Sequence, residues 1–397
     1  MARDARRSRP EVHVAWPLKA VAALAVAGAC VSAFGALRDD GGRAEDDTAE
    51  LRRVGSRWVA GPDRSWAFDP FPAAYEIEYA VQALGAQSVE VLRVRGPYDS
   101  RTESRADGAV QSARETTFGL LATQSGDGPA TVLQVPPATA GPRMGSAVLA
   151  AEPLGLVVRR EVREVAGRRC QVWRTGDALG GTTFLAPDDR DYLDLCVDEA
   201  GLLLEEWQVS AGQAIRQRVA RRVRIGSVAD EDLVRLPRES TLAVDQGGGN
   251  VRQIADDERP VGPFLLLPAP PADLARRGRY TVVPPQADLR EGGERRKLRA
   301  ATVDVFERGA DVLVVEQGGV LDLSDPWAVG DAFPDVDLGP VVGTGELVPG
   351  RFGSEVRALL GQGRYLRLSG TLPLSALVEL ARSMTLVDDG GGVRTED

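Results

Sequence analysis

Apolar and polar residues alternate with a period of two along much of the chain after position 74. This pattern predicts β-strands that bury one face and expose the other. It is plainest over 75–79 and 89–91. Further strands, most separated by Gly, Pro or Asp turns, are predicted over 115–122, 131–135, 163–174, 182–185, 192–197, 202–209 and 214–225. We therefore predict one antiparallel sheet of many strands.

Two segments depart from this period. Residues 144–158 are apolar with small side chains, and Pro153 would break a long helix, so short helices are predicted there. Near the C-terminus apolar residues recur every three or four positions, which predicts a helix with one apolar stripe after Pro373: Leu374, Leu377, Leu380, Ala381 and Met384. This helix can cover a small sheet predicted from a hairpin over 301–306 and 312–316 and a strand over 364–369.

Changes in composition divide the chain into segments. Residues 1–19 are basic, 20–37 are uncharged, and 38–50 are acidic and Gly-rich, which is typical of a solvated tether. A large domain is predicted over 51–245 and a linker over 246–265, where a run of three glycines and several prolines occur. A small α+β domain over 266–388 and a loose tail over 389–397 complete a chain whose predicted fold class is α+β.

The uncharged run 20–37 determines the predicted location. Basic residues precede it and acidic residues follow it, so the positive-inside rule places residues 1–19 in the cytoplasm and the bulk of the chain outside. The eighteen uncharged residues, most of them apolar, just reach the length that spans a bilayer. We therefore predict a single-pass membrane protein with an uncleaved anchor.

Two alternatives to an uncleaved anchor stay open. The small residues at 27–29 offer a site for cleavage of a signal peptide. Cys30 would carry the lipid of a lipoprotein, although Ala27 stands where a larger aliphatic residue is usual, and the apolar run continues beyond Cys30.

The charge and the histidine content exclude several classes of function. A net charge of −10 without a basic domain disfavours nucleic acid, which requires clustered cations. The single histidine, His13, lies in the predicted cytoplasmic tail, so the outer part has no imidazole for a catalytic triad or a zinc site. No phosphate-binding loop or nucleophile elbow occurs in a suitable context. We therefore expect no enzymatic activity, no metal and no cofactor.

Two cysteines fall in neighbouring predicted strands. Cys170 and Cys196 lie in segments separated by a short polar connection, and the predicted compartment is oxidising. A disulfide is the leading interpretation. The alternative is a pair of buried thiols, since free cysteine is often a small core residue.

The strand predicted over 214–225 has arginines on one parity and apolar residues mainly on the other. The four arginines could contact an acidic partner or lipid head groups, and a solvated outer face is the alternative: Arg216, Arg218, Arg222 and Arg224. Several apolar strand residues could line a lipid-sized cavity, or could form an ordinary packed core: Tyr75, Ile77, Tyr79, Phe118, Val172 and Leu204.

The segment 162–209 carries a family resemblance. Val-Ala-Gly-Arg at 165–168, Trp173, the run at 192–197 and Ala-Gly-Leu-Leu-Leu at 200–204 resemble the "V-x-G-R … L-W-V-D … x-G-L-x-L" run. This run occurs in LolA-like lipoprotein carriers and in sigma-factor regulators of the MucB/RseB type. The segment 365–373 is similar to the "T-V-V-G-E-V-P" run near the end of MucB/RseB proteins.

The resemblance implies a curved, open antiparallel half-barrel with covering helices and an apolar concave face. It also implies a regulatory protein that senses an apolar ligand or an envelope partner, such as an anti-sigma protein, and modulates sigma-factor signalling. The alternative within the same resemblance is a carrier or chaperone of lipids or lipoproteins.

Overall fold

The computed structural model describes residues 56–128, 130–134, 142–176, 183–229, 233, 241–242, 250–254, 264–266, 273–283, 301–309, 311–319, 333–360, 364–387 and 393–394. The predicted anchor at 20–37, the tether at 38–50 and Cys30 lie outside these residues. Within them, no helix is both long enough and apolar enough to cross a membrane.

Thirteen strands of the described residues form the first sheet. Their order is β1-β8-β9-β10-β11-β12-β2-β3-β4-β5-β6-β7-β13, and all neighbours are antiparallel except β7 and β13. The strands are β1 (Ser56–Ala60), β2 (Ala74–Ala83), β3 (Ala86–Arg95), β4 (Asp99–Ala106), β5 (Ala109–Thr117), β6 (Leu120–Ser125), β7 (Thr131–Gln134), β8 (Val157–Val165), β9 (Arg168–Gly176), β10 (Tyr192–Asp198), β11 (Leu203–Ser210), β12 (Gln213–Ile225) and β13 (Thr241–Leu242).

A second sheet has the order β14-β16-β17-β18-β22-β21-β20-β19, and a small third sheet has the order β15-β23-β24. Their strands are β14 (Asn250–Ile254), β15 (Phe264–Leu266), β16 (Ala275–Val283), β17 (Ala301–Arg308), β18 (Asp311–Gly319), β19 (Asp335–Asp337), β20 (Thr344–Gly350), β21 (Gly353–Leu360), β22 (Arg364–Gly370), β23 (Thr385–Val387) and β24 (Val393–Arg394). The helices in the described part are α1 (Met144–Ala151), α2 (Gly339–Val342) and α3 (Leu374–Arg382).

The predicted alternation is confirmed in β2, where Tyr75, Ile77, Tyr79 and Val81 are buried and the residues between them are half-buried. Two predicted strands were too long. The range 115–122 contains the turn between β5 and β6, and the range 163–174 contains the turn between β8 and β9. Both turns hold a glycine with positive φ, at Gly119 and Gly167, which reverses the chain.

The first sheet is strongly curved and open. Strand β8 contacts β12 although three strands lie between them, a separation that a flat sheet would keep at about 19 Å. The edge strands β1 and β13 do not meet in the sheet order. The predicted curved antiparallel sheet is therefore present.

Two predicted boundaries differ from the structure. Strand β14 lies within 246–265, the range predicted as a linker, and it pairs with β16 of the second sheet. Strand β24 lies within 389–397, the range predicted as a loose tail, and it pairs with β23. Short strands that gain their pairing from distant segments leave a weak alternation signal, because two to five residues are too few to show a period.

The first and second sheets pack together through side chains from both. Trp173 and Leu195 of the first sheet share a core cluster with Met144 and Val148 of α1 and with Val348 of β20. A second contact is aromatic. Phe118 packs edge-on against Tyr98 at 4.8 Å between ring centroids, and in a tilted arrangement against Tyr280 of β16 at 5.5 Å.

The hairpin between β2 and β3 places a leucine in an unfavourable backbone conformation. Leu84 and Gly85 have φ of 47° and 82°, as a two-residue type I′ turn requires, and Leu84 is 74% exposed. A left-handed conformation costs an L-residue with a Cβ about 1 to 2 kcal/mol, and asparagine tolerates it better.

We expect Leu84→Asn to raise the free energy of unfolding by about 1 kcal/mol in urea titrations of the full chain. Leu359→Asn is the control, since Leu359 is also exposed, lies on β21 and is not among the residues with positive φ. An equal gain from both variants would show that lost apolar exposure, and not backbone conformation, is the cause.

Candidate binding cleft

The predicted disulfide is present. Cys170 of β9 and Cys196 of β10 are bonded, with 5.4 Å between their Cα atoms. In the register, Cys170 lies opposite Asp198 and Cys196 lies opposite Val172, so the bridge runs diagonally between neighbouring strands. Both cysteines are buried in a core cluster of the first sheet.

The residues predicted to line a lipid cavity pack as a core. Five of them are at most 1% exposed and belong to one cluster: Tyr75, Ile77, Tyr79, Val172 and Leu204. Tyr79 also donates a hydrogen bond from its hydroxyl to the carbonyl of Leu203 at 2.7 Å. Phe118 lies apart, in the aromatic contact with Tyr280. The packed-core alternative therefore describes the first five residues, while Phe118 is only partly buried.

The predicted arginine row does not share one face of β12. The register shifts at a bulge between Ala220 and Arg222, so Arg218 lies opposite Val81 while Arg222 lies opposite Glu78. Val81 and Glu78 have opposite parity on β2, and side chains directly opposite one another share a face. Arg216 and Arg218 therefore project from one face of the sheet, and Arg222 and Arg224 project from the other.

Each of the four arginines has a carboxylate partner. On the face that carries Arg222 and Arg224, Arg222 lies 3.0 Å from Glu78 and Arg224 lies 3.6 Å from Glu76. On the opposite face, Arg216 bonds to Glu206 at 2.8 Å, and Arg218 pairs with Glu90 and stacks on the ring of Tyr79. The row predicted as a surface for an acidic partner is thus largely neutralised within the chain.

Glu206 joins the two sheets. It is 2% exposed and accepts hydrogen bonds from Arg216 and from Arg351, which lies in the turn between β20 and β21 of the second sheet. Burial alone would raise the pKa of Glu206, but Arg351, Arg216 and Arg218 hold it at about 2, below its ordinary value of 4.5. The carboxylate therefore stays charged at any physiological pH.

We expect Glu206→Gln to lower the free energy of unfolding by about 3 kcal/mol at neutral pH. Because the pKa is depressed in the folded state, this stability is fully present above pH 4.5 and is lost as the pH falls toward 2. The wild type and the variant should therefore converge in acid when unfolding is followed by urea titration at several pH values. Glu78→Gln, which affects a more exposed pair with Arg222, should change the profile little.

A cleft of about 490 Å³ lies between the first sheet, α1 and the second sheet. Its wall combines the loop before β2, the first turns of α1, the turn between β10 and β11, and two positions of the second sheet. The lining residues are Trp66, Ala67, Phe68, Asp69, Phe71, Arg143, Gly145, Ser146, Leu149, Ala200, Gly201, Asp311 and Thr371.

Two glycines allow these elements to approach closely. A Cβ at Gly145 of α1 would lie 2.9 Å from the ring of Phe68 and 3.3 Å from the Cα of Gly201. Gly201 has φ of 75°, and a Cβ there would lie 3.3 Å from the ring of Phe71. Side chains at either position would push the aromatic loop away from the helix.

Backbone hydrogen bonds fix the remaining walls. The amide of Asp69 donates to Glu199 at 2.7 Å, and the amide of Arg143 donates to Arg351 at 2.5 Å. In the second sheet, Thr371 accepts a bond from the amide of Val312 at 2.8 Å through its hydroxyl. This bond holds Thr371 beside the start of β18, where Asp311 lies.

The charges of the cleft are unevenly accessible. Arg143 is 6% exposed and stacks on Phe71 at 4.3 Å, and its burial lowers the pKa of its guanidinium despite attraction from Asp311. Asp311 pairs with Arg308 at 2.9 Å. Asp69 is exposed, and its carboxylate has no hydrogen bond or ion pair within the described part of the chain.

None of the residues predicted as cavity or partner-surface residues lines this cleft. Sequence reasoning missed it because Trp66, Phe68 and Phe71 lie in an irregular segment without a hydrophobic period. One signal was available. Three aromatic residues occur within six positions of a Pro-containing loop, in a chain whose aromatic content is only 5%. Binding residues are disproportionately found on loops.

No family model matches this chain, and no curated protein matches it. Among solved structures, it matches the crystal structure of MucB with 15% identity and a TM-score of 0.27, over 86% of this chain and 98% of that chain. It matches the complex structure of Pseudomonas aeruginosa MucA/MucB with 16% identity and a TM-score of 0.27, over 78% and 92% of the two chains. A third match is the crystal structure of MucB in complex with periplasmic MucA, with 17% identity and a TM-score of 0.25, over 78% and 92%. All three of these structures are of MucB.

Proposed function

We propose that the protein is a non-enzymatic regulatory protein of the cell envelope that binds a segment of a partner protein in the cleft. In this proposal residues 20–37 hold it at the membrane, and binding modulates a sigma-factor-type signalling partner. The charge pattern around residues 20–37 supports the location, and the motifs at 162–209 and 365–373 support the regulatory role.

The cleft is the observation that carries the proposal. Its volume of about 490 Å³ lies within the usual range of ligand pockets, and aromatic side chains form much of its wall. This volume accommodates a few side chains of an extended peptide. Its walls come from both sheets, so a bound segment contacts both and can favour one arrangement of them over another.

The carrier alternative has less support. A carrier needs room for one or more acyl chains, and the residues predicted to provide it are packed against one another. Mass spectrometry of lipids extracted from gently purified full-length protein would decide this point. A stoichiometric lipid would favour the carrier over the proposed regulator.

Site-specific photo-crosslinking in the native cells tests the proposal. A benzoylphenylalanine replaces Leu149, which is 39% exposed in the wall of the cleft, and the matched control carries it at Leu359, which is 54% exposed and is not in the wall. We expect position 149 alone to capture a membrane protein with a cytoplasmic sigma-factor-binding part. Capture of the same protein from both positions, or of none from position 149, would contradict the proposal.

A further inference from the structure

We propose that the cleft selects a segment in which a lysine or arginine side chain lies beside an apolar side chain. This inference rests on the proposed function, because it names the chemistry of the partner segment that the cleft binds. It is carried by three properties of the wall: the accessible charge, the aromatic rings and a buried donor.

The accessible charge is negative. Two carboxylates and one guanidinium line the cleft, and the guanidinium of Arg143 is almost completely buried against Phe71. Asp69 is exposed and has no ion pair within the described residues. A ligand cation can therefore bind its carboxylate without replacing a cation of the protein. Asp311 adds a second carboxylate, from the second sheet, although Arg308 partly neutralises it. A cation placed between these groups gains attraction without displacing a partner of Asp69.

The rings of the wall favour a cation and an apolar side chain together. The protein already places a guanidinium over two of them, with Arg143 at 4.3 Å from the ring of Phe71 and Arg169 at 5.5 Å from the ring of Trp66. The ring of Phe68 has no such cation within the described residues. A ligand cation can use this ring, since aromatic faces attract ammonium and guanidinium groups. Leu149, which is exposed at the same cleft, provides apolar surface for the neighbouring side chain.

The buried donor points to a peptide. The indole Nε1 of Trp66 is buried and has no hydrogen-bond partner within the described residues, and Trp66 itself is 6% exposed. A buried N–H without an acceptor costs free energy. The Nε1 atom is shielded from solvent, so a ligand carbonyl recovers this free energy when the ring of Trp66, which lines the cleft, turns to present it. A peptide backbone supplies such a carbonyl one or two bonds from its side chains, whereas a simple alkyl amine does not.

Binding of three labelled peptides to the full-length protein in detergent tests the inference. The probes are fluorescein-labelled Gly-Leu-Phe-X-Leu-Gly peptides with X as Lys, Gln or Glu, followed by fluorescence anisotropy at low ionic strength. We expect the Lys peptide to bind about tenfold more tightly than the Glu peptide, with the Gln peptide between them. We expect the preference to weaken as salt is added, because Asp69 is exposed.

Two variants assign the preference to the cleft. Asp69→Asn should reduce the ratio of the Lys and Glu affinities several-fold. Asp107→Asn, at an exposed hairpin tip where asparagine suits a φ of 51°, should leave the ratio unchanged. Equal binding of the three peptides, tighter binding of the Glu peptide, no saturable binding of any peptide or an unchanged ratio in Asp69→Asn would each overturn the inference. Specific capture of a partner from position 149 in any of these cases would leave the proposed function standing and remove only the predicted charge preference.

Discussion

Replacing Arg163 with methionine is expected to lower the free energy of unfolding by about 4 kcal/mol, because it leaves a buried carboxylate without its cation. Arg163 of β8 donates to Glu205 of β11 at 2.9 Å, and Glu205 is 1% exposed. Among the described residues, the remaining partners of Glu205 are neutral: the amide of Gln217 at 3.2 Å and the hydroxyl of Ser56 at 3.4 Å. Neutral donors compensate a buried negative charge poorly.

The double variant Arg163→Met/Glu205→Leu separates this explanation from a simple loss of packing. Removing both charges removes the cost of an unpaired one, so the double variant should recover most of the lost stability in urea titrations. The coupling between the two substitutions should be large, since the side chains are in contact. A single variant that costs less than about 1 kcal/mol, or a double variant no more stable than the single one, would contradict the assigned role of the pair.

Only part of the first sheet could be predicted from the sequence, as strand β2 and the Arg163–Glu205 pair illustrate. Alternation along 75–79 predicts β2 correctly, because one face of that strand is buried and the period of two survives in the sequence. The contact between Arg163 and Glu205 could not be predicted, because it depends on curvature that brings β8 toward β11 and β12. Nothing in the local sequence of β8 encodes the position of β12.

The division of the four arginines between two faces of β12 could not be predicted, for a similar reason. A parity argument assumes a regular strand, and the bulge between Ala220 and Arg222 changes the parity partway along β12. The carboxylates that neutralise the row come from β11, the strand that precedes β12, and from β2 and β3, which are distant in sequence from β12. Charge along one strand therefore does not predict charge at a surface.

For the apolar residues of the first sheet, the sequence leaves two interpretations open, a lipid cavity and a packed core. Tyr75, Tyr79 and Leu204 have the apolar character that either a cavity or a core requires. The sequence does not determine the distance between the strands that carry these side chains. In the structure the same residues fill the space between them. The cleft that does exist is built from a loop, a helix end and turns, whose residues show no hydrophobic period for sequence reasoning to detect.

Removing the disulfide is expected to lower the free energy of unfolding by about 3.5 kcal/mol. The bridge joins positions 26 residues apart, and the chain-entropy model assigns this cost to the freedom that the unfolded chain regains. Both cysteines are buried in the cluster that contains Tyr75 and Leu204, so access of a reductant to the folded protein should be slow. Unfolding of the full chain in urea, with and without reductant, measures the difference.

Cys170→Ala/Cys196→Ala provides the control, since it removes the bridge and both sulfur atoms. The double variant should unfold at the same urea concentration with and without reductant, and at a lower concentration than the oxidised wild type. The intact mass of the oxidised wild type should be two hydrogen atoms below that of its reduced form, which verifies the bridge independently of stability. If the reduced and oxidised proteins unfold together although their masses differ, the bridge does not constrain the unfolded chain, and the stability of β9 and β10 must come from their packing alone.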